Sequence, residues 1–231
     1  MPEKAQIESM FDAIAPDYDR LNHIMSFGID KRWRRRAVRT IADSQKPLRI
    51  LDVASGTGDF AIAIAKKVHP ESEIIGIDLS EKMLEVGRTK VPDNITLQQG
   101  DVEALAFPDD HFNRVSVAFG IRNFEHLEQG LSEMHRVLRP GGKMVILELS
   151  YPDNPFLLWC YKCYTLHILP FIGGLISGDR KAYTYLPHSI LAFPKADVIV
   201  PMLENIGFGQ VRVRRFTFGT CVMYVGEKMA R

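Results

Sequence analysis

Residues 116–126 read SVAFGIRNFEH, and Arg122 and Asn123 stand there side by side at the end of an apolar, strand-like run. Nothing around them has the composition of a surface loop. From residue chemistry alone Arg122 caps a helix end, pairs with Glu125 or Asp110, or serves a ligand. Three other apolar runs end on acids. RILDVA (49–54) carries Asp52 and leads into a glycine-rich turn with Gly56, Thr57, Gly58 and Asp59. EIIGIDLS (73–80) closes on Asp78, and ITLQQGD (95–101) closes on Asp101, followed by Val102.

Glycines after a strand let the backbone turn tightly and approach a ligand. The turn here is neither GxGxxG, since Gly56-Thr57-Gly58-Asp59-Phe60-Ala61 fills the third position differently, nor GxxxxGK[ST]. Three carboxylates would repel a diphosphate, but they suit a ligand that is cationic or rich in hydroxyl and amine groups. Asp78 follows the glycine turn by about 20 residues, the placement that lets a carboxylate accept hydrogen bonds from ribose hydroxyls. A sulphonium nucleoside fits these demands. Its ribose would lie at Asp78, its adenine near Asp101 and Val102, and its amino-acid end near the glycine turn.

The elements that must position these residues follow a regular alternation. The first 45 or so residues read as helices and a loop. The runs at 49–54, 73–80, 95–101, 112–119 and 142–149 read as strands. FAIAIAKKV (60–68), EKMLEVGRTK after the capping residue Ser80, and HLEQGLSEMHRVLR (126–139) read as helices between them, the last ended by Pro140-Gly141-Gly142. Such an alternation predicts βαβ crossovers, with helices on both faces of a parallel sheet. Two further strand-like runs, QVRVRRFTF and TCVMYVGEK, part at Gly219-Thr220 as a hairpin, so the final strand is expected to run antiparallel. The whole is a Rossmann-like α/β domain with a seven-stranded, mostly parallel sheet. Residues 1–45 precede it, and an aromatic, proline-containing insertion at 151–195 suits an apolar cover.

The composition sets bounds. With 231 residues, 46% hydrophobic and 25% charged, the chain is globular rather than disordered. A net charge of +1 gives no support for nucleic-acid binding. Cys160 and Cys163 form a CxxC without a second pair or a thioredoxin-like setting, so packing cysteines are expected. The acids are dispersed over strand ends, and no metal site is expected. The odd cysteine count and the missing signal peptide argue for a reducing cytoplasm. No apolar run reaches the roughly 18 residues of a membrane span.

LDVASGTGDF, GIDLS and GDVEALAFPDDHF together resemble class I S-adenosylmethionine-dependent methyltransferases. FDAIAPDYDRLNHIMSFGIDKRWRR, AFGIRNF and YTYLPHSILAFP (183–194) narrow the resemblance to the quinone-ring C-methyltransferases, over nearly the whole chain. The resemblance implies S-adenosylmethionine as methyl donor and S-adenosylhomocysteine as product. It implies a cofactor site of Asp52, Gly56, Thr57, Gly58, Asp78, Leu79, Asp101, Val102 and Ala118, the last at a position where the family often carries a serine. The acceptor is a polyprenylated quinol, demethylmenaquinol or the ubiquinone precursor. APDYDRLNH becomes a lid that brings Tyr18 near the acceptor. Asp19 also suits the cap of a helix RLNHIM.

A quinol carbon becomes nucleophilic when the neighbouring hydroxyl ionises. Phenols titrate near 10, so the oxyanion needs stabilising. A guanidinium with an adjacent amide suits that task. Arg122, Asn123 and Tyr18 are therefore the catalytic candidates, with Tyr18, Asp17, Asp19, His126 or water to take the ring proton. Trp159, Tyr161, Tyr164, Phe171 and Tyr183–Tyr185 are candidates to line a tail channel. KRWRRRAVR (31–39) reads as a solvated face, or as a basic helix with an interfacial Trp33 on anionic lipid at the inner face of the membrane. An apolar cap shared between subunits of a homo-oligomer is a further expectation. A methyltransferase for another lipid or small molecule, and a silent cofactor-binding partner, are the alternatives.

Overall fold

Strand β1 (Arg49–Val53) is the central strand, pairing in parallel with β2 (Glu73–Asp78) on one side and β4 (Phe112–Ala118) on the other. The computed structural model describes residues 3–20, 26–168 and 180–229, with the side chains of Asp17 and residues 180–184 outside the described set. The described strands form a seven-stranded sheet in the order β3-β2-β1-β4-β5-β7-β6, with β3 at Ile95–Gln99, β5 at Leu138–Leu149, β6 at Phe208–Phe216 and β7 at Cys221–Lys228. Only β7 is reversed, pairing antiparallel with both β5 and β6. The expected seven-stranded sheet with one antiparallel strand is the observed one.

Both faces of the sheet are covered. The central strands therefore read as continuous apolar runs, not as alternations. Ile50, Val145 and Leu147 bury into one core with Trp33, Ile41, Phe60, Ile64 and Leu84. Leu51, Val53 and Ile146 bury into the other, with Leu131, Met134, Ile199 and Leu203. The first core is covered by α2 (Ile29–Ile41), α3 (Asp59–Ala65) and α4 (Glu81–Arg88). The second is covered by α5 (Leu127–Val137) and α8 (Ala196–Ile206). As expected, Ser80 caps α4, its Oγ accepting from the Met83 N–H at 3.2 Å.

Two boundaries depart from expectation. Pro140-Gly141-Gly142 does not precede β5 but lies inside it. The β4–β5 register jumps from Phe112↔Leu138 to Arg114↔Lys143, so Arg139–Gly142 bulges from the ladder, with Gly141 at φ 72°. The hairpin also turns one step early, through Thr217–Gly219, where Thr217 and Phe218 both have positive φ.

The N-terminal α1 (Lys4–Ile14) lies over the carboxyl ends of the strands. Lys4 Nζ reaches Asp101 Oδ2 at 2.6 Å and Glu103 at 2.8 Å, and Ser80 Oγ–H donates to Asp12 Oδ1 at 2.5 Å. The insertion contributes α6 (Pro155–Cys163), capped by Asn154, and α7 (Arg180–Ala192). The expected helix RLNHIM falls mostly on residues 21–25, outside the described residues, as does Phe171.

Gly76 in β2 is where strand and glycine turn approach most closely: a Cβ there would lie 2.5 Å from Leu97 Cδ2 and 2.7 Å from Ser55 Oγ. Gly76→Ala should therefore destabilise the domain by about 1–3 kcal/mol, read as a lower urea midpoint with unchanged slope.

Candidate active site

The strand order reverses at β1, and the connections after β1 and β4 diverge there. Ligands of open α/β sheets sit at this point, outside the carboxyl ends. Both connections begin with a non-glycine residue at positive φ, Ala54 at 50° and Phe119 at 63°. Such backbone is strained and persists only where its surroundings over-determine it. Gly120 is held tightly here, since a Cβ on it would lie 2.6 Å from Ala54 Cβ.

Three cavities open at these ends, and Tyr18 lines all of them. The first, which carries the carboxylates, runs over Gly56, Asp78, Leu79, Asp101, Val102, Ala118 and Asn123, under Lys4, Ile7 and Phe11 of α1. The second is a narrow cleft between Arg34, Asp52, Ser55, Gly56, Thr57 and Ala118. The third, a larger cavity of about 330 Å³, is mainly aromatic and aliphatic and is lined by Phe27, Trp33, Phe119, Arg122, Tyr161, Tyr164 and Ile190. Of the nine expected cofactor residues, all but Gly58 line the first two. Gly58, at φ 79°, instead makes the turn into α3, and a Cβ there would press on Val91 and Leu97.

Asp78 is held by the glycine turn itself. Its Oδ2 accepts from Gly56 N–H at 2.8 Å and its Oδ1 from Ser80 N–H at 3.0 Å. Each oxygen keeps a lone pair for a hydroxyl donor. Asp52 is 1% exposed, and its Oδ1 accepts from Ser116 Oγ–H at 2.7 Å. Burial pushes its carboxyl up to about 7 against the pull of that bond and of Arg34. The arrangement is a carboxylate-lined slot leading to an apolar chamber. It can present a cationic, hydroxyl-rich ligand to an apolar one.

The family model described as the ubiE/COQ5 methyltransferase family matches residues 2–228. The chain belongs to the ubiE/COQ5 methyltransferase family. It is 47% identical over 228 residues to a demethylmenaquinone methyltransferase of Bacteroides fragilis, covering 96% of this chain and 92% of that one. It is also 47% identical over 234 residues to a Geobacter sulfurreducens protein named ubiquinone/menaquinone biosynthesis C-methyltransferase UbiE, covering 99% and 91%. Among solved structures, an S-adenosylmethionine-dependent methyltransferase of Thermotoga maritima superposes with a TM-score of 0.68 at 18% identity, covering 96% of this chain and 99% of that chain. A Haemonchus contortus phosphoethanolamine N-methyltransferase 2 in complex with S-adenosyl-L-methionine superposes at 0.65 and 14% identity, covering 85% and 52%. These likenesses show the methyltransferase fold.

Within the methyltransferase, Arg122 is 6% exposed and lies at the boundary of the apolar chamber. Its partner is neither Glu125 nor Asp110 but Glu148, near the end of β5. Arg122 Nη1 donates to Glu148 Oε1 at 2.7 Å and to the Phe119 carbonyl, and Arg122 N–H donates to Glu148 Oε2 at 3.2 Å. Burial alone would lower the guanidinium's pKa. The charge and hydrogen bond of Glu148, together with Tyr18 and Tyr185, outweigh it and hold Arg122 above its ordinary value. Nε is buried without a protein hydrogen-bond partner. Asn123 Oδ1 accepts from Tyr185 O–H at 2.9 Å.

Sequence reasoning missed Glu148 and Arg34. An acid inside the apolar run MVILELS is the one signal that could have exposed Glu148. Other candidates prove engaged elsewhere. Asp19 accepts from Thr57 Oγ1 and pairs with Lys90, both at 2.5 Å. His126 is largely exposed, with Nδ1 2.8 Å from Glu103. The side chain of Asp17 lies outside the described residues. Of the expected tail-lining aromatics, Tyr161 and Tyr164 line the chamber, whereas Trp159 is 63% exposed and stacks on Phe156. Trp33 is not interfacial: it is buried, with Nε1–H donating to Thr217 Oγ1 at 2.9 Å. No described helix is long and apolar enough to cross a membrane.

Removing one member of a buried ion pair leaves the other uncompensated. Arg122→Ala should therefore lower stability by about 3–5 kcal/mol, and Arg122→Met with Glu148→Leu should recover most of it. Urea unfolding of the three proteins checks this. A second test concerns Asp52. A carboxyl raised by folding binds more protons in the native than in the unfolded state between about pH 4 and 7. Its contribution therefore falls as pH rises through that window, by up to about 1.4 kcal/mol per pH unit. Asp52→Asn should flatten the pH–stability profile there.

Proposed function

We propose that this chain methylates a ring carbon of a polyprenylated quinol, demethylmenaquinol in the first place and the ubiquinone precursor in the second, using S-adenosylmethionine. The observation that carries the reading is the meeting of a carboxylate-lined slot and an apolar chamber at Tyr18, beside the buried Arg122. The names of the Bacteroides and Geobacter relatives support a quinone ring as acceptor.

The residues present fit the cofactor. Asp78 has lone pairs for the ribose hydroxyls, and Ile77, Leu79, Val102 and Phe124 surround a space suited to a flat base. S-adenosylmethionine, when bound, supplies an electrophilic methyl group on a sulphonium. The carboxylates lining the slot favour that positive charge. Tyr18 and Phe119 line both the slot and the chamber, so they set where acceptor and methyl donor meet.

Arg122 and Asn123 receive the acceptor's hydroxyl oxygen as the phenolate. A permanently charged guanidinium in a dry pocket lowers a phenol's pKa far more than water does. The ionised oxygen pushes electron density onto the adjacent ring carbon, which forms the new C–CH₃ bond while sulphur keeps the electron pair of the broken one. The ring proton then leaves, and the oxygen is reprotonated. With Asp19 and His126 engaged elsewhere, Tyr18 or water takes that proton. The long tail follows the aromatic chamber, whose boundary includes the 75%-exposed Phe27. Exposed Phe156, Trp159 and Phe218 suit contact with the lipid that supplies it.

Incubation with methyl-labelled S-adenosylmethionine and reduced demethylmenaquinone, with products resolved by mass, should yield labelled menaquinol. Arg122→Lys keeps the charge but loses the planar fork. It should lower kcat by about 100-fold or more, with calorimetric cofactor affinity unchanged. Label on another lipid and none on the quinol would refute the acceptor; full turnover in Arg122→Lys would refute the role of the arginine.

A further inference from the structure

Arg122 and Asn123 share one short turn, Ile121–Asn123, but they are held from different sides. Arg122 is fixed by Glu148, from the neighbouring strand β5. The Asn123 main chain is fixed too, since its N–H donates to the Gly120 carbonyl at 3.0 Å. Its side chain is half-buried and borders the carboxylate-lined slot. Among the described residues that side chain has one hydrogen-bond partner, Tyr185 on α7, whose O–H donates to Oδ1 at 2.9 Å. Tyr185 lines none of the three cavities, although Leu186, Pro187 and Ile190, which follow it on α7, line the apolar chamber. Tyr185 therefore reaches the site through Asn123.

An amide has one acceptor end and one end with two donors, and its partners decide which way it stands. Turned one way, Asn123 offers N–H groups to a developing oxyanion. Turned the other, it offers a carbonyl oxygen, whose negative end repels that charge. The oxygen of a phenol shares its lone pairs with the ring, so it donates better than it accepts. Its donation to Oδ1 leaves both Nδ2 hydrogens for another acceptor. Burial raises the Tyr185 phenol above its ordinary range, against the Arg122 charge and a Ser189 hydrogen bond. Tyr185 therefore stays protonated, and stays a donor, at neutral pH.

We propose that Tyr185 is a positioning residue: by holding Oδ1 of Asn123 it presents the Nδ2 hydrogens to the acceptor's phenolate oxygen. This rests on the reading of Asn123 as a partner of the quinol oxygen and goes beyond it by naming what aims the amide. Tyr185, a tail-lining candidate by its sequence, instead turns its hydroxyl to the catalytic turn. The same helix thus serves both sides of the reaction. It supplies chamber wall through Leu186 and Ile190 and aims the amide through Tyr185, so an acceptor seated on that wall meets a donor aimed from the same element.

The test is a double-mutant cycle on methyl transfer from labelled S-adenosylmethionine to reduced demethylmenaquinone. Tyr185→Phe should lower kcat about tenfold, the scale of one neutral hydrogen bond. KM for the quinol and calorimetric affinity for S-adenosylhomocysteine should change less than about twofold, as expected when only a transition-state contact is lost. Asn123→Ala should lower kcat about 100-fold or more, as loss of an oxyanion donor does. In the Asn123→Ala background, Tyr185→Phe should cost less than about twofold further, because the two act as one unit. Equal cost of Tyr185→Phe in both backgrounds would show that it acts without Asn123 and would overturn the inference. So would an unchanged kcat in Tyr185→Phe, or a loss confined to KM, the mark of a chamber wall. If the unaltered protein methylates no quinol, the acceptor reading itself falls, and this inference with it.

Discussion

The central constraint is that β1 is paired on both edges and buried on both faces. The connection that leaves its carboxyl end leads to β2, and the one that leaves its other neighbour β4 leads away to β5 on the opposite side. The backbone there must turn at once, which places Ala54 and Phe119 at positive φ and packs Gly120 against Ala54. The gap so created is a slot floored by main chain, with a carboxylate at each of three strand ends. The carboxylate-lined slot, the narrow cleft and the apolar chamber all open from this one reversal.

Charge placement follows from the same geometry. Inside a domain an ionised group survives by pairing or by waiting for a ligand. Arg122 and Glu148 follow the first course, locked together at the ends of adjacent strands β4 and β5. Arg34 is paired more loosely with Asp30, and Asp52 accepts from Ser116 while burial pushes its carboxyl up to about 7. The protein thus carries a buried cation, Arg122, whose position is fixed before any ligand arrives. Preorganised charge of this kind needs no rearrangement at the moment of reaction.

The N-terminal segment converts an open slot into an enclosed one. Lys4, Asp12 and Asp19 tie it to Asp101, Ser80 and Thr57, each at or beside a different strand end. Tyr18 belongs to this segment and is a shared wall of all three cavities.

Much of this was legible in the chain. Strand-like runs with Asp52, Asp78 and Asp101 at or near their ends announced a mostly parallel sheet with its acids gathered at the carboxyl edge, because central strands buried on both faces leave mainly their ends to be polar. Arg122 and Asn123 stood out for the same reason. What stayed hidden depended on which side chains meet across elements. Glu148 lies 26 residues from Arg122, and β4–β5 pairing alone brings them together. Arg34 looked like its five basic neighbours, and Trp33 like a membrane anchor, until α2 packed on the sheet and turned both inward. Pro140-Gly141-Gly142 read as a stop, yet β5 carries it as a bulge because β4 resumes pairing beyond it. Local pattern determined the elements and their polarity. Long-range packing decided which charges were buried and which were paired.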